Sequence, residues 1–326
     1  MSNEQYLFSI VIPHYNETER DLMPLLSSIN NQLGIDKSQI EVVIVNDAGY
    51  KLDMEFLKLF DMKIVLINQS ENKGPGVTRQ VGLQNARGKY VMFCDADDVL
   101  QNVGVLGLFN AEFKKTGADY LSSSWLEERK INGMLVYSNH NIENTWMHGK
   151  CFERAFLMDN NIRFDDTLRV HEDTYFLSIA RAMAKNARYI PVTTYVWRWH
   201  DESITRRNDG IYHYKEYPEF IQACLKANDE IQERLGDEAL AYKIVQFIIY
   251  NYFIFLDERW HEEDKEQYYQ ASINVFKSRM KPYWYIWDNA DDQFISYVYS
   301  EERNKNYLGI EPFNIHNWVK EIRGIE

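Results

Sequence analysis

The stretch Lys89-Tyr90-Val91-Met92-Phe93-Cys94-Asp95-Ala96-Asp97-Asp98 decides the reading of the N-terminal half of this chain. The five residues Tyr90 to Cys94 form a continuous apolar run, as expected of a strand covered on both faces. The run ends directly in Asp95, Asp97 and Asp98. Crowded carboxylates repel one another, and their pKa values rise unless a cation neutralises them. Hard oxygen ligands of this kind suit Mg²⁺ or Mn²⁺, which retain waters and bridge to substrate phosphates. The plain alternative is an acidic turn that caps a helix over Val99 to Phe113.

Upstream, strand and helix alternate. Phe8 to Pro13 reads as a buried strand closed by proline. Leu22, Leu25, Leu26, Ile29 and Leu33 recur at helical spacing, with Asp21 and Pro24 near the start. Glu41 to Asp47 and Lys63 to Ile67 are further strands. Pro75 fits the first turn of a helix reaching about Ala86. Such alternation predicts an α/β fold with a mostly parallel central sheet flanked by helices. Open sheets of this type bind ligands at the carboxyl ends of the strands, which here carry Asn16, Asp47 and Asp95 to Asp98. Downstream, Ala118 to Tyr137 reads as a hairpin turning at Asn132-Gly133. Helices are expected near Lys150 to Met158 and Asp173 to Lys185, with a strand over Arg188 to Trp197. Strand signals then fade, which sets a boundary near residue 210: one domain over 1–209 and a helical C-terminal region over 210–326.

The 326 residues carry 36 basic and 49 acidic side chains, a net charge of −13. The excess lies in the tail, where residues 209–326 hold 13 basic and 22 acidic side chains. This disfavours a surface built mainly to grip nucleic acid. Cys94, Cys151 and Cys224 offer neither a disulfide framework nor a metal-ligand spacing. The longest apolar run, Ile244 to Leu256, has 13 residues and is too short to span a bilayer. No signal peptide is legible. The expectation is a cytoplasmic protein, with peripheral membrane contact left open. The aromatic tail (Tyr242, Tyr250, Tyr252, Trp260, Tyr268, Tyr269, Tyr283 to Tyr285, Trp287) suits a helical core, a homo-oligomer interface or sugar stacking.

Ordered motifs then act jointly. Ser9-Ile10-Val11-Ile12-Pro13-His14-Tyr15-Asn16 and Val45-Asn46-Asp47-Ala48-Gly49 come first. Asn72-Lys73-Gly74 with Thr78-Arg79, and Asp95-Ala96-Asp97-Asp98, follow. Gly149-Lys150, His171-Glu172-Asp173, and Trp197-Arg198-Trp199-His200 with Ser203-Ile204-Thr205 complete the set. Over roughly residues 7–206 the chain resembles glycosyltransferase family 2, the inverting nucleotide-sugar enzymes of the Rossmann-like GT-A fold. Asn46 and Ala48 depart from the aspartate and glycine common in the second motif, and Gln80 replaces a frequent asparagine. Residues 210–326 show no comparable resemblance.

The resemblance implies a set of roles. Pro13, Tyr15 and Asn16 would line the base pocket, and Asp47 would accept a hydrogen bond from uracil, whose ring N–H cytosine lacks. The turn at Asn72 and Gly74 would bring backbone close to the nucleotide, with Gly76 assisting and Arg79 reaching the base or phosphates. Asp95, followed by Ala96, would lie by the ribose. Asp97 would hold Mn²⁺ or Mg²⁺, with His200 as a further ligand or diphosphate contact. Arg198, Ser203 and Thr205 would close over the phosphates. Asp173, paired with Glu172 at a helix start, would be the general base that deprotonates the acceptor hydroxyl. Without the resemblance, Glu172 and Asp173 read as ordinary helix-dipole partners.

The expected partners are a nucleoside-diphosphate sugar, most simply a UDP-sugar, and a glycan or glycoconjugate acceptor. Three other readings compete. A sugar-1-phosphate nucleotidyltransferase would carry a Gly-rich basic stretch near the first strand, where His14-Tyr15-Asn16-Glu17 stands instead. A non-catalytic sugar-nucleotide-binding protein would not need both Asp97 and Asp173. The same chemistry on a nucleic-acid or teichoic-acid-like acceptor would need a local basic groove, for which Arg206 and Arg207 are candidates.

Overall fold

The computed structural model describes residues 5–141, 146–200, 211–306 and 314–325. The chain divides into two compact units, Met1–Ser203 and Ile204–Glu326. The expected boundary near 210 and the residues Ser203, Thr205, Arg206 and Arg207, for which roles were expected, fall on 201–210, outside the described residues.

The first unit is built on one sheet. Its strands are β1 (Tyr6–His14), β2 (Ile40–Asn46), β3 (Lys63–Asn68), β4 (Gly88–Phe93), β5 (Val99–Leu100), β6 (Tyr120–Ile131), β7 (Met134–His140), β8 (Lys150–Glu153) and β9 (Ala187–Trp197). The order is β3-β2-β1-β4-β8-β6-β9-β5, with β7 on β6. The expected parallel character holds for β1 to β4 and for β6 with β9. The β8, β7 and β5 pairings are antiparallel, so the sheet is mixed. For β6 and β7 the cause is the two-residue turn between them, far short of the crossover of a dozen or more residues that a parallel neighbour needs.

Both faces of the parallel half are covered. On one, α1 (Glu19–Asn30) buries Leu22, Leu25, Leu26 and Ile29 in a core with Phe8, Ile10, Ile12, Val42 and Ile44. Each such side chain contributes about 1.5–3 kcal/mol. Asp21 caps this helix by accepting from the Thr18 N–H and hydroxyl at 2.9 and 2.7 Å. Pro24 lies inside the helix rather than at its start. After the short α2 (Met54–Leu57), α3 (Pro75–Asn85) lies against β1 on the other face, and a Cβ on Gly82 would come within 2.3 Å of Val11 Cγ1. Only a glycine lets helix and strand approach so closely.

Two expected helix starts are corrected. Lys150 to Glu153 is strand β8, because Tyr120 to Ser122 and Tyr90 to Met92 offer it pairing partners on both sides. Helix α5 begins only at Arg154 and ends at Asp159. Likewise Val99–Leu100 joins β9, and the next helix, α4, runs Val105–Thr116. The hairpin turn at Asn132-Gly133 stands where expected, both residues adopting positive φ. Helix α6 spans Glu172–Met183. It is anchored through Phe176, stacked on Phe164 at 4.2 Å and edge-on to Phe93 of β4.

The second unit is helical, as expected: α7 (Tyr212–Leu235), α8 (Ala241–Phe255), α9 (Glu266–Arg279), α10 (Trp284–Asn289), α11 (Asp292–Asn306) and α12 (Ile315–Arg323). The apolar run forms α8, with Ile244, Val245, Ile248, Ile249 and Tyr252 wholly buried. Buried Asn251 accepts from the Tyr217 hydroxyl and donates to the Phe247 carbonyl, so its polar group is satisfied. Tyr252, Trp260, Tyr283, Trp284 and Trp287 are core residues of this unit, while Tyr242 and Tyr285 remain partly exposed. Among the described residues no helix is long and apolar enough to cross a membrane.

Candidate active site

Parallel register brings the carboxyl ends of β1, β2 and β3 level, His14 opposite Asn46 and Asn46 opposite Asn68. β4 ends beside Val11, so Cys94 to Asp98 emerge at the same edge. The loops there are tied to one another. Gly49 fits only because it lacks a side chain, since a Cβ would lie 1.6 Å from the Tyr15 carbonyl oxygen. Asn46 accepts from the Gly49 N–H and donates to the Tyr50 carbonyl and to Asn68. An aspartate could not make those donations, which accounts for the departure at this position. Ala48 takes φ 61°, a conformation that glycine adopts without steric cost.

Asp47 is buried, and its carboxylate accepts from the Lys73 and Gly74 N–H groups at 2.7 and 2.8 Å and from Gln69 at 2.9 Å. It therefore shapes the 72–74 turn, beyond the base contact expected of it. Gly74 sits at φ 88°, and Asn72 accepts from Arg169, a residue that the sequence patterns did not single out. Pro13 is half-buried at the end of β1, with Tyr15 and Asn16 exposed beside it.

Arg79 was expected to reach outward to the nucleotide. The structure instead buries its guanidinium between two carboxylates, Glu172 and Asp95 Oδ1, the latter at 2.6 Å. A desolvated cation is stable only with such partners. Glu172 is thereby a buried partner of Arg79 rather than an open acid or base. Close approach is again secured by glycine, as a Cβ on Gly76 would lie 2.9 Å from Glu172 Cβ and Cγ. Burial opposes ionisation of Asp95, but Arg79 and His148 outweigh it and hold the carboxyl well below the usual range. Asp173, next along α6, is pushed the other way. Burial, then the neighbouring Glu172 carboxylate, raise it to about 7 despite Arg79.

Asp97 and His200 lie together, His200 Nε2 standing 3.5 Å from Asp97 Oδ2 and 3.2 Å from the Asp97 carbonyl oxygen. Burial and repulsion from Asp95 raise the Asp97 carboxyl to about 6. Arg198 joins through its Nη1 to the Asp97 carbonyl and its N–H to Asp98. Asp98 is wholly buried, accepts from the Tyr195 hydroxyl at 2.6 Å, and is pushed well up by burial and its two neighbouring carboxylates. Ala96 is buried between them.

His148 was missed in the sequence. Its Nε2 lies 3.8 Å from Asp95 and 3.9 Å from Asp98, and its ring stacks on Tyr195. Asp95, Asp98 and His148 bring possible ligand atoms within 4.8 Å of one another. The only local signal was its place directly before Gly149-Lys150. Asp97 and His200 are both accessible, at 33% and 27% side-chain exposure, whereas in the other grouping only Asp95 is, at 36%, with His148 at 5% and Asp98 at 0%.

The model of a family described as glycosyl transferase family 2 matches residues 9–167. The first unit belongs to glycosyl transferase family 2. The chain is 28% identical over 190 residues to the poly(ribitol-phosphate) beta-N-acetylglucosaminyltransferase TarS of Staphylococcus aureus, covering 52% of this chain and 31% of TarS. The chain thus spans about a third of that relative's length. The putative glycosyltransferase EpsH of Bacillus subtilis is 24% identical over 297 residues, 82% of this chain and 81% of its own. The crystal structure of S. aureus TarS 1-349 in complex with UDP-GlcNAc superposes with a TM-score of 0.70 at 20% identity, over 98% of this chain and 92% of that one. That likeness shows a shared fold, the GT-A fold expected from the sequence.

Proposed function

We propose that this glycosyltransferase moves a sugar from a UDP-sugar to a hydroxyl of a glycan or glycoconjugate, with inversion at the anomeric carbon and with Asp173 as the general base. The observation that carries the reading is Asp173 itself, a carboxylate raised to about 7 beside the Arg79–Glu172 pair and the strand-end aspartates. A base whose pKa lies near the working pH removes a proton most effectively.

In the reaction the acceptor hydroxyl gives its proton to Asp173 as its oxygen bonds to the anomeric carbon. The bond from that carbon to the diphosphate breaks, and its electron pair leaves with UDP. Asp95 takes the ribose hydroxyls, and Asp47 orders the 72–74 turn beside the base. Glu172 holds Arg79, and through it Asp95, in place. The donor set of Asp97 and His200 fits a divalent cation, Mn²⁺ or Mg²⁺, because a carboxylate crowded by Asp95 gains from a neutralising charge. Such a cation supplies electrostatic stabilisation of charge on the departing diphosphate. The helical unit would serve acceptor specificity, packing or self-association, and the donor class fits a cytoplasmic site of action.

A second reading, the same transfer onto a teichoic-acid-like polymer, draws on the TarS relative, a poly(ribitol-phosphate) beta-N-acetylglucosaminyltransferase. The net charge of −13 weighs against it. Calorimetric titration with UDP, GDP and CDP, each with Mn²⁺ and with EDTA, tests the donor assignment. Metal-requiring UDP binding supports it, and equal indifference to all three nucleotides removes it.

A further inference from the structure

We propose that the tip of the β6–β7 hairpin is a docking surface for an anionic lipid membrane. Strand β6 runs beside β9 as far as Glu127 opposite Trp197. Beyond that point the rungs from Glu128–Tyr137 to Ile131–Met134 extend as a two-stranded ribbon. At about 3.4 Å per residue the ribbon projects roughly 10 Å, comparable to the depth at which interfacial segments lie.

The ribbon carries an unusual share of exposed apolar surface: Ile131 at 47%, Met134 at 67%, Leu135 at 53% and Tyr137 at 57%. Register decides what could cover it. Ile131 stands opposite Met134 on one face, whereas Leu135 stands opposite Lys130 on the other. A protein partner packed on one face would leave the second wet. Lipid surrounds an inserted tip and covers both.

Charge points the same way. Residues 128–137 carry Arg129 and Lys130 against the single carboxylate Glu128, in a chain whose acidic side chains outnumber the basic by 49 to 36. Long basic side chains beside an apolar tip can keep their heads among anionic headgroups while their stems cover apolar surface. The carboxylate at the ribbon's base, Glu128, is turned to other work, accepting from the Trp199 N–H at 2.9 Å and from the Tyr137 hydroxyl at 3.1 Å. It thereby ties the ribbon to the Arg198–His200 segment, so a docked hairpin would hold the catalytic edge near the headgroups. The inference stands on this ribbon and does not depend on the transfer reaction.

The test is co-sedimentation of the full chain with vesicles of phosphatidylcholine alone and of phosphatidylcholine with phosphatidylglycerol, at about 0.15 M salt. The wild-type chain should bind the anionic vesicles at least about tenfold better than the neutral ones. Met134→Ser with Leu135→Ser should lose at least about tenfold on the anionic vesicles, since the apolar contribution is removed. Arg129→Gln with Lys130→Gln should abolish the preference for phosphatidylglycerol. Unchanged thermal melting and UDP affinity would confirm that these variants are folded. No binding of the wild type to anionic vesicles overturns the proposal, as does wild-type vesicle binding by the Met134/Leu135 variant. A hairpin variant that changes only the oligomeric state, with vesicle binding retained, assigns the surface to a second copy and equally overturns it.

Discussion

The Arg79 guanidinium and the Glu172 carboxylate form a buried ion pair that fastens α3 to the first turn of α6, and so fixes where Asp173 stands relative to Asp95. Breaking such a pair leaves an uncompensated charge in the interior. Arg79→Met should destabilise the chain by about 3–5 kcal/mol, because Glu172 and Asp95 both lose their cation. Urea unfolding with an unchanged m-value would measure it. A loss below about 1 kcal/mol, the range of surface pairs, would show that the pair does not hold the site together.

Asp173→Asn keeps size and polarity and removes the base. UDP-sugar affinity should stay within about twofold while transfer falls by at least about a hundredfold. Transfer at the wild-type rate would remove Asp173 from the chemistry.

With Asp173 at about 7, the transfer rate at saturating donor should rise with pH and level off above that value. Stability should move in the opposite sense. A folded-state pKa above the ordinary carboxylate value means that the native chain binds more protons between about pH 4 and 7, so this group's contribution is lost as pH rises through 7. Asp173→Asn should remove that slope from a plot of unfolding free energy against pH. A flat rate profile from pH 5.5 to 8.5 would contradict the assignment.

Asp97→Ala should abolish the Mn²⁺-dependent part of UDP affinity and leave the EDTA value unchanged. Since the Asp97 carboxyl lies at about 6 without a cation, metal-dependent affinity of the wild type should weaken as pH falls through that value. Identical Mn²⁺ dependence in the variant would move the cation elsewhere, and Asp95, Asp98 and His148 would be next to test.

Asn46→Asp would restore the residue common in the family's second motif. Here it should cost about 1–3 kcal/mol, because the buried side chain could no longer donate to the Tyr50 carbonyl or to Asn68. Thermal unfolding would show it as a lower Tm, and an unchanged Tm would mean that the loop re-forms its hydrogen bonds.

Local pattern was enough for the first four strands, the helices between them and the hairpin turn at Asn132-Gly133, since hydrophobic period and turn chemistry act over a few residues. The same patterns placed Asp47, Asp95, Asp97 and Glu172-Asp173 at strand ends or a helix start, where a parallel sheet gathers its ligands. What each of those groups faces was decided by tertiary structure. Arg79 and Glu172 are 93 residues apart, and nothing local distinguishes an arginine buried between two carboxylates from one that reaches solvent. Asp47 showed as a turn residue, yet its carboxylate cradles a loop 26 residues on. His148 entered the site only because β8 lies between β4 and β6, a long-range pairing that also made Lys150 to Glu153 a strand. The sequence determined which residue types stand at the ends of which elements, because that follows from short-range periodicity. Charge state and accessibility at each position came from burial and from partners distant in the chain, which exist only once the sheet has assembled.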